Sequence, residues 1–207
     1  MVHPATRVEL LEFQTPPPGS EVIRYSYWSR KLLPAAALAA SYQFFSDQVG
    51  VGTVTGRDTN MTKPSAIGNP RRFLAQFINC HVYAGGSTSC TLVNVGIDTC
   101  QVINTSNIRI DLLDKEYLTL PTWMVPCGGG PVIQGSTGTA AGPVVGALTV
   151  LNGVPDKRNA YPIELPLERE ASFSVTLQFP GTPPTLSVVG GIYVDIVLTG
   201  LLIRPRQ

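Results

Sequence analysis

Alternation of apolar and polar residues is the feature that most constrains the fold of this chain. It is clearest in ASFSVTLQF, residues 171–179, in which every second residue from Phe173 to Phe179 is apolar. Successive side chains of a β-strand point to opposite faces of a sheet, so this period predicts strands with one buried face. The same period runs through five further segments: FLAQFINCHVY (73–83), TLVNVGI (91–97), NIRIDLL (107–113), YPIELPLE (161–168) and GIYVDIVLTGLLI (191–203).

The face of each predicted strand follows from the parity of its residues. In FLAQFINCHVY, Leu74 is predicted to share one face with Ile78, Cys80 and Val82. The other face is then shared by Phe73, Phe77 and His81. In YPIELPLE, Pro166 lacks a backbone N–H, so this strand is predicted to lie at a sheet edge or to contain a bulge.

The segments between the predicted strands are rich in glycine, proline and asparagine, which are turn residues. No helical pattern in this part of the chain is long enough to cover the face of a sheet, so two sheets must cover each other. The sequence therefore predicts an all-β, antiparallel β-sandwich of about eight to ten strands. Eight strands arranged as two Greek keys form a jelly roll, and this is the architecture we expect for residues 41–207.

The amino-terminal segment 1–40 has a different pattern. VELLEF and EVIRYSYW have the composition of strands, but the proline-rich segment QTPPPGS separates them. The alanines after Pro34 predict a short helix near residues 34–42. Residues 1–40 are therefore predicted to form an extended N-terminal arm that contains this short helix. Deletion of the arm is expected to leave a folded β domain but to impair assembly.

Composition limits the classes of partner. Charged residues make up 14% of the chain and the net charge is +1, whereas about 25% of a typical soluble domain is charged. Such a surface suggests coverage by other chains. The tight basic clusters, Arg71-Arg72 and Arg204-Pro205-Arg206, are too few to predict a specific nucleic-acid site.

The termini and the apolar runs suggest a soluble protein made in the cytoplasm. The amino terminus lacks the features of a signal peptide. The longest apolar run, GGIYVDIVLTGLLI, is too short to span a bilayer and contains Asp195.

The segment FFSDQVGVGTVTGRDTNMTKP, residues 44–64, has the composition of a ligand-binding loop. It lacks the G-x-G-x-x-G spacing and the following helix of a phosphate site. It also lacks the series of acidic ligands of a calcium loop. We therefore expect an architectural role, in which Phe44 and Phe45 anchor the sandwich and Asp58 stabilises a turn.

Neither a metal centre nor a catalytic centre is predicted. The chain has two histidines, His3 and His81, whereas a jelly-roll metal site of the cupin type needs several. The four cysteines, Cys80, Cys90, Cys100 and Cys127, are predicted to be reduced thiols, with a Cys80–Cys90 disulfide as the alternative. The carboxylates Asp111, Asp114 and Glu116 lie near a strand end and are either a solvated cluster or a glycosidase pair.

The segments FF, RDTNM and RRFLAQFINCHVY, with a glycine-rich run after the first, resemble a pattern of small phage virion proteins. The segments IRIDLLDKEYLTLPTWMVPCGGG and VDIVLTGLLIRPRQ fit the same resemblance. The resemblance covers residues 41–207, and the proteins that share the pattern are single-jelly-roll capsid or capsid-associated (cement) proteins. It implies a structural, non-enzymatic subunit of an icosahedral phage capsid. It also implies no cofactor, and partners that are copies of itself and other capsid proteins.

Subunit contacts are predicted at aromatic and charged residues of the arm, the 44–64 segment and two later sites. They are Trp28, Phe44, Phe45, Arg57, Asp58, Asn60, Trp123 and Arg204. The alternative function is a carbohydrate-binding β-sandwich for host-surface attachment, with Trp123 as the ring that contacts a glycan. An enzyme that uses Asp111 and Glu116 is the third reading.

Overall fold

The computed structural model describes residues 16–35, 38–84, 92–125, 131–134, 149–152, 160–187 and 190–206. These residues contain ten strands, one α-helix and one short 3-10 helix. The strands are β1 (Ser20–Leu33), β2 (Ser41–Phe44), β3 (Arg72–Ala84), β4 (Asn107–Leu112), β5 (Lys115–Pro121), β6 (Pro131–Gln134), β7 (Thr149–Asn152), β8 (Tyr161–Leu167), β9 (Phe173–Gln178) and β10 (Ile192–Pro205). The helix α1 spans Leu92–Thr105, and the 3-10 helix spans Thr122–Met124.

Eight of the strands form two four-stranded antiparallel sheets. The first sheet has the order β1-β10-β3-β8 and the second has the order β2-β9-β4-β5, while β6 and β7 pair separately. Along these eight strands, every connection except β4–β5 passes from one sheet to the other. This is the double Greek key of a jelly roll. The predicted antiparallel β-sandwich is confirmed.

The core lies between the two sheets, where the alternating apolar residues meet. Phe173, Val175 and Leu177 of β9 are at most 1% exposed, and alternate residues of β10 from Ile192 to Leu198 are fully buried. Each such side chain contributes about 1.5–3 kcal/mol by leaving water. Strand β8 lies at the edge of the first sheet, as Pro166 predicts.

A bulge in β3 overturns the predicted faces of its first residues. The register with β10 and β8 shifts between Ala75 and Phe77. Because one extra residue moves every following side chain to the other face, Phe73 joins the core with Ile78, whereas Leu74 packs with Ile203 in a separate cluster. A Cβ atom on Gly200, opposite the bulge, would lie 1.9 Å from the backbone oxygen of Leu74.

The boundary predicted at residue 40 is wrong, because β1 belongs to the sandwich. The whole of β1 pairs with β10, from Ser20 opposite Pro205 to Leu33 opposite Ile192. Tyr27 and Leu33 are 4% and 0% exposed. The alternating apolar residues of β1 decide its place in the core. Residues 1–15 lie outside the described residues.

The helix predicted near residues 34–42 is absent from the described part of that segment. Residues 34–35 and 38–40 are not helical, and residues 36–37 lie outside the described residues. Ser41–Phe44 forms β2, in which Tyr42 lies opposite Leu177. The helix propensity of alanine is at most a few tenths of a kcal/mol per residue over other helix formers, and strand pairing with β9 outweighs it.

The segment TLVNVGI, predicted as a strand, instead opens α1. Within α1, Asp98, Thr99 and Val102 are buried, and their i, i+1, i+4 spacing places them on one face of a helix. The Asp98 carboxylate accepts a hydrogen bond from the backbone N–H of Ser187 at 2.7 Å. So short a run of alternation could not separate a strand from a helix.

Candidate interaction surface

Residues 55–61, which we call the edge strap, lie along the free edge of β1. The N–H of Arg30 donates to the carbonyl of Asp58 at 2.7 Å, and the Thr59 hydroxyl donates to the carbonyl of Trp28 at 2.9 Å. A free strand edge is a template for unwanted pairing with other chains. The edge strap therefore blocks lateral growth of the first sheet at β1.

Asn60 makes three hydrogen bonds to β1 through one side chain. Its Oδ1 accepts from the N–H of Trp28 at 3.0 Å, and its Nδ2 donates to the carbonyl of Ser26 at 2.8 Å and to the Tyr25 hydroxyl at 3.2 Å. An amide side chain offers both an acceptor and a donor, so it can replace the backbone groups of a missing strand. The turn thus packs against its own subunit.

Asp58 stabilises the turn that begins the edge strap. Its Oδ2 accepts hydrogen bonds from the N–H of Thr55 at 2.9 Å and from the Thr55 hydroxyl at 2.7 Å. These bonds favour the ionised carboxylate and lower the pKa of Asp58, with the backbone N–H as the largest cause. The turn predicted from Asp58 is confirmed.

Trp28 joins the edge strap to the outer face of the first sheet. Its indole Nε1 donates to the carbonyl of Gly56 at 3.1 Å. The next outward residue of β1 is Arg30, whose guanidinium is bidentate on Asp195 at 2.8 and 3.0 Å. Bidentate Arg–carboxylate pairs are among the strongest charge-assisted contacts in proteins.

Two tyrosines complete a cluster around Arg30. The guanidinium carbon lies 5.5 Å from the ring centroid of Tyr83 and 5.3 Å from that of Tyr193. The Tyr83 hydroxyl also donates to Asp195 at 3.1 Å. This arrangement places a cation, a carboxylate and two aromatic rings together on the outer face, beside the edge strap.

Burial and the Asp195 carboxylate control the titration of the cluster. The hydrogen bond to Asp195 raises the pKa of Arg30. Burial, followed by the charge of Asp195, raises the pKa of Tyr83 to about 12. His81 lies opposite Asp195 in the β3–β10 register, and burial lowers its pKa while Asp195 opposes that effect. At neutral pH the tyrosine is therefore protonated and His81 is neutral.

Four predicted contact residues lie together on this surface: Trp28, Arg57, Asp58 and Asn60. Their role in contacts between subunits stays a prediction, because their described partners belong to the same chain. Sequence reasoning missed the cluster formed by Arg30, Tyr83, Tyr193 and Asp195. Asp195 stands out as the single carboxylate in an apolar strand, but its pairing with Arg30 requires a register between segments far apart in sequence.

The prediction that Phe44 and Phe45 contact neighbouring subunits is wrong. Both side chains are 0% exposed, and the N–H of Phe45 donates to the Ser29 hydroxyl inside the core at 2.9 Å. The expectation that they anchor the sandwich is confirmed. Two consecutive residues can both face the core because Phe45 has a left-handed backbone, with φ of 60°, at the end of β2. The Phe45 ring packs against Phe173, with 5.6 Å between the ring centroids.

The remaining two predicted residues lie elsewhere. Trp123, in the 3-10 helix, is 57% exposed. Arg204, near the end of β10, donates from Nε to Glu21 at 2.6 Å.

The other candidate chemical groups have structural partners or lie outside the described residues. Asp111 and Glu116 both face Arg109, at 2.7 and 3.6 Å. Cys80 is buried in the core as an apolar side chain, and burial raises the pKa of the half-buried Cys100 thiol. Cys90 and Cys127 lie outside the described residues, so the Cys80–Cys90 alternative stays a prediction.

Metal binding and membrane crossing are two broader classes of function on which the described residues bear. No three His, Cys, Asp or Glu side chains come together there as a metal site would require. The one helix in the same part of the chain is not of the length and apolarity needed to cross a bilayer.

Comparison with protein-family models, curated proteins and solved structures gives no match. The resemblance to phage virion proteins therefore stays a prediction.

Proposed function

We propose that the chain is a structural virion protein that builds or decorates an icosahedral phage capsid by self-association and contacts with neighbouring subunits. The observation that carries this proposal is the strand order, β1-β10-β3-β8 packed on β2-β9-β4-β5. This jelly roll is an architecture of viral capsid and lectin domains and of cupins. Because fold alone does not fix function, the surface has to discriminate among these classes.

The described surface favours assembly over chemistry. Six large apolar side chains on β1, on the two helices and in the connections between strands are 39–60% exposed: Val22, Leu32, Val51, Ile97, Leu113 and Trp123. Tryptophan, tyrosine and arginine, the residue types of interface hot spots, lie together on the outer face of the first sheet. In a shell, many weak contacts of identical subunits add up to a stable particle. Under this proposal the protein is made in the host cytoplasm and resides in the virion.

Electron microscopy and sedimentation velocity of the purified full chain test the proposal. We expect shells or discrete symmetric oligomers whose fraction rises with protein concentration. A chain that stays monomeric at millimolar concentration, and that also fails to bind purified phage capsids, would overturn it.

Carbohydrate binding is the second candidate, and the exposed indole of Trp123 favours it. An exposed ring can stack on the apolar face of a sugar. Under this alternative, glycan-array binding of the full chain is present and is lost in Trp123→Ala. Assembly without glycan binding excludes it.

A further inference from the structure

One end of the sandwich gathers charges that are far apart in sequence. The register places Ser20 opposite Pro205, and Ile203 opposite Arg72. The N–H of Leu113, in the β4–β5 turn, donates to the carbonyl of Ser172, in the β8–β9 connection, at 2.9 Å. The strand ends of both sheets therefore meet here, and we call this surface the charged end.

The first-sheet half of the charged end is basic. It carries seven cationic residues and three glutamates, a net charge of +4: Arg24, Lys63, Arg71, Arg72, Arg169, Arg204 and Arg206 against Glu21, Glu168 and Glu170. The glutamates pair with Arg204, Arg72 and Lys63. Arg24, Arg169 and Arg206 are exposed, so positive charge remains in excess on this half.

The second-sheet half of the charged end is weakly acidic, with a net charge of −1. Asp111, Asp114 and Glu116 lie in the β4–β5 hairpin with Arg109 and Lys115, and Arg109 pairs with Asp111 and Glu116. Asp114 is exposed, and the Glu116 side chain is 53% exposed. The two halves therefore offer unlike charges side by side on one surface.

An apolar side chain stands at the tip of the same hairpin. Leu113 is 60% exposed, and both turn residues have left-handed backbones, with φ of 50° at Leu113 and 60° at Asp114. Such turns favour Asn and Gly, and a bulky residue there costs about 1–3 kcal/mol. Leu113 also lines a depression of about 130 Å³, together with Leu112, Pro166, Glu168 and Ala171.

We infer that the charged end is a two-fold interface with a second copy of this chain. In a two-fold contact the same surface meets itself, so each acidic hairpin faces the basic half of the partner. The Leu113 side chain of each copy then enters the depression of the other, which accounts for a strained, exposed leucine at a turn. The inference rests on the proposed function and deepens it by naming one interface.

Charge reversal tests the pairing of the two halves. In sedimentation velocity of the full chain, Arg169→Glu and Glu116→Lys should each weaken self-association at least about tenfold, because like charges then face each other. An equimolar mixture of the two variants should associate as tightly as the wild type, since both contacts of a mixed dimer again join unlike charges. Glu164→Lys, an exposed reversal on β8, is the matched control and should have no effect.

Leu113→Asn separates a structural role from a role in the interface. Asparagine tolerates the left-handed backbone, so the monomer should unfold at a higher temperature. The same variant should self-associate more weakly, because the apolar contact is lost. A stabilised variant with unchanged association would overturn the role of Leu113.

The outcomes distinguish this inference from the proposed function. If the wild type assembles but neither reversal weakens assembly, or the mixture fails to restore it, the charged end is not the interface and the proposed function stands. If the wild type does not associate at all, this inference falls, and the proposed function falls with it if the chain also fails to bind purified phage capsids.

Discussion

Asp195 organises the polar side chains on the outer face of the first sheet. It accepts two hydrogen bonds from Arg30 and one from Tyr83, and it lies opposite His81 in the register. His81 is a neutral ring at neutral pH and lies beside the Arg30–Asp195 ion pair. Protonation of His81 as the pH falls adds a positive charge to the cluster.

We expect His81 to make the stability of the protein depend on pH. Burial lowers the folded-state pKa of His81 below its unfolded value, which is about 6.5. As the pH falls through the unfolded value, the unfolded chain binds the proton first, so stability present above about 6.5 is lost in acid. Denaturant unfolding at pH 7.5 and pH 5 should show this loss in the wild type and a smaller loss in His81→Gln.

The chain supplies a matched control for this experiment, because His3 is its one other histidine. His3→Gln should keep the pH dependence of the wild type. Equal pH dependence in the wild type and His81→Gln would show that His81 does not couple folding to protonation.

Single residues also show where sequence reasoning ends. Alternation predicted the buried faces of β8, β9 and β10, because one period governs each strand. It failed at Phe73 and Leu74, since the β3 bulge has no local signal. Gly200 opposite the bulge was a candidate signal, because a glycine within a strand often marks a close backbone approach.

At the scale of elements, the edge strap replaces a strand that the first sheet lacks. Its bonds to Ser26, Trp28 and Arg30 run along β1. The opposite edge of this sheet is protected differently, because β8 carries Pro162 and Pro166, and the Tyr117 hydroxyl donates to the carbonyl of Glu164. Both edges of the first sheet are thus made poor templates for pairing with other chains.

Asn60→Ala should uncover the edge of β1. The substitution removes three hydrogen bonds and leaves the N–H of Trp28 and the carbonyl of Ser26 without their partner, which costs about 1–3 kcal/mol. Hydrogen exchange should accelerate at the amide of Trp28, and denaturant unfolding should show the loss in stability. Thr62→Ala, an exposed change two positions later, should leave both unchanged.

The opposite result would assign the edge strap a different role. If the Trp28 amide exchanges at the wild-type rate in Asn60→Ala, the Asn60 side chain does not protect this edge.

Strands with a long alternation of apolar and polar residues were predicted correctly, whereas short segments were not. The turn at Asp58 followed from local chemistry, but its place on β1 did not, because a long stretch of sequence separates Trp28 from Asp58. The opposite errors at α1 and at the predicted helix near residues 34–42 have one cause. In each case the propensity of a short segment was weighed without the tertiary contacts that decide between helix and strand.

At the scale of the whole molecule, the strand order is what composition and periodicity cannot supply. The pairing of β1 with β10 joins the two ends of the described chain, with the hydroxyls of Ser26 and Thr199 in hydrogen-bond contact at 2.9 Å. Periodicity predicts that strands exist and which faces they bury. Their order depends on contacts of all eight strands at once, so the jelly roll was predicted from the number of strands and from the need for two sheets to cover each other.

The place of β1 reverses the expected result of removing the segment 1–40. Tyr27 and Leu33 alone contribute about 3–6 kcal/mol of apolar burial, against a total stability of about 5–15 kcal/mol for a domain. Their loss, together with a newly exposed edge on β10, should leave residues 41–207 unfolded. Residues 16–207 keep β1 and should fold with cooperative unfolding and the near-ultraviolet circular dichroism of the full chain. A folded 41–207 fragment would show that β1 is dispensable, and the sandwich would then close without its edge strand.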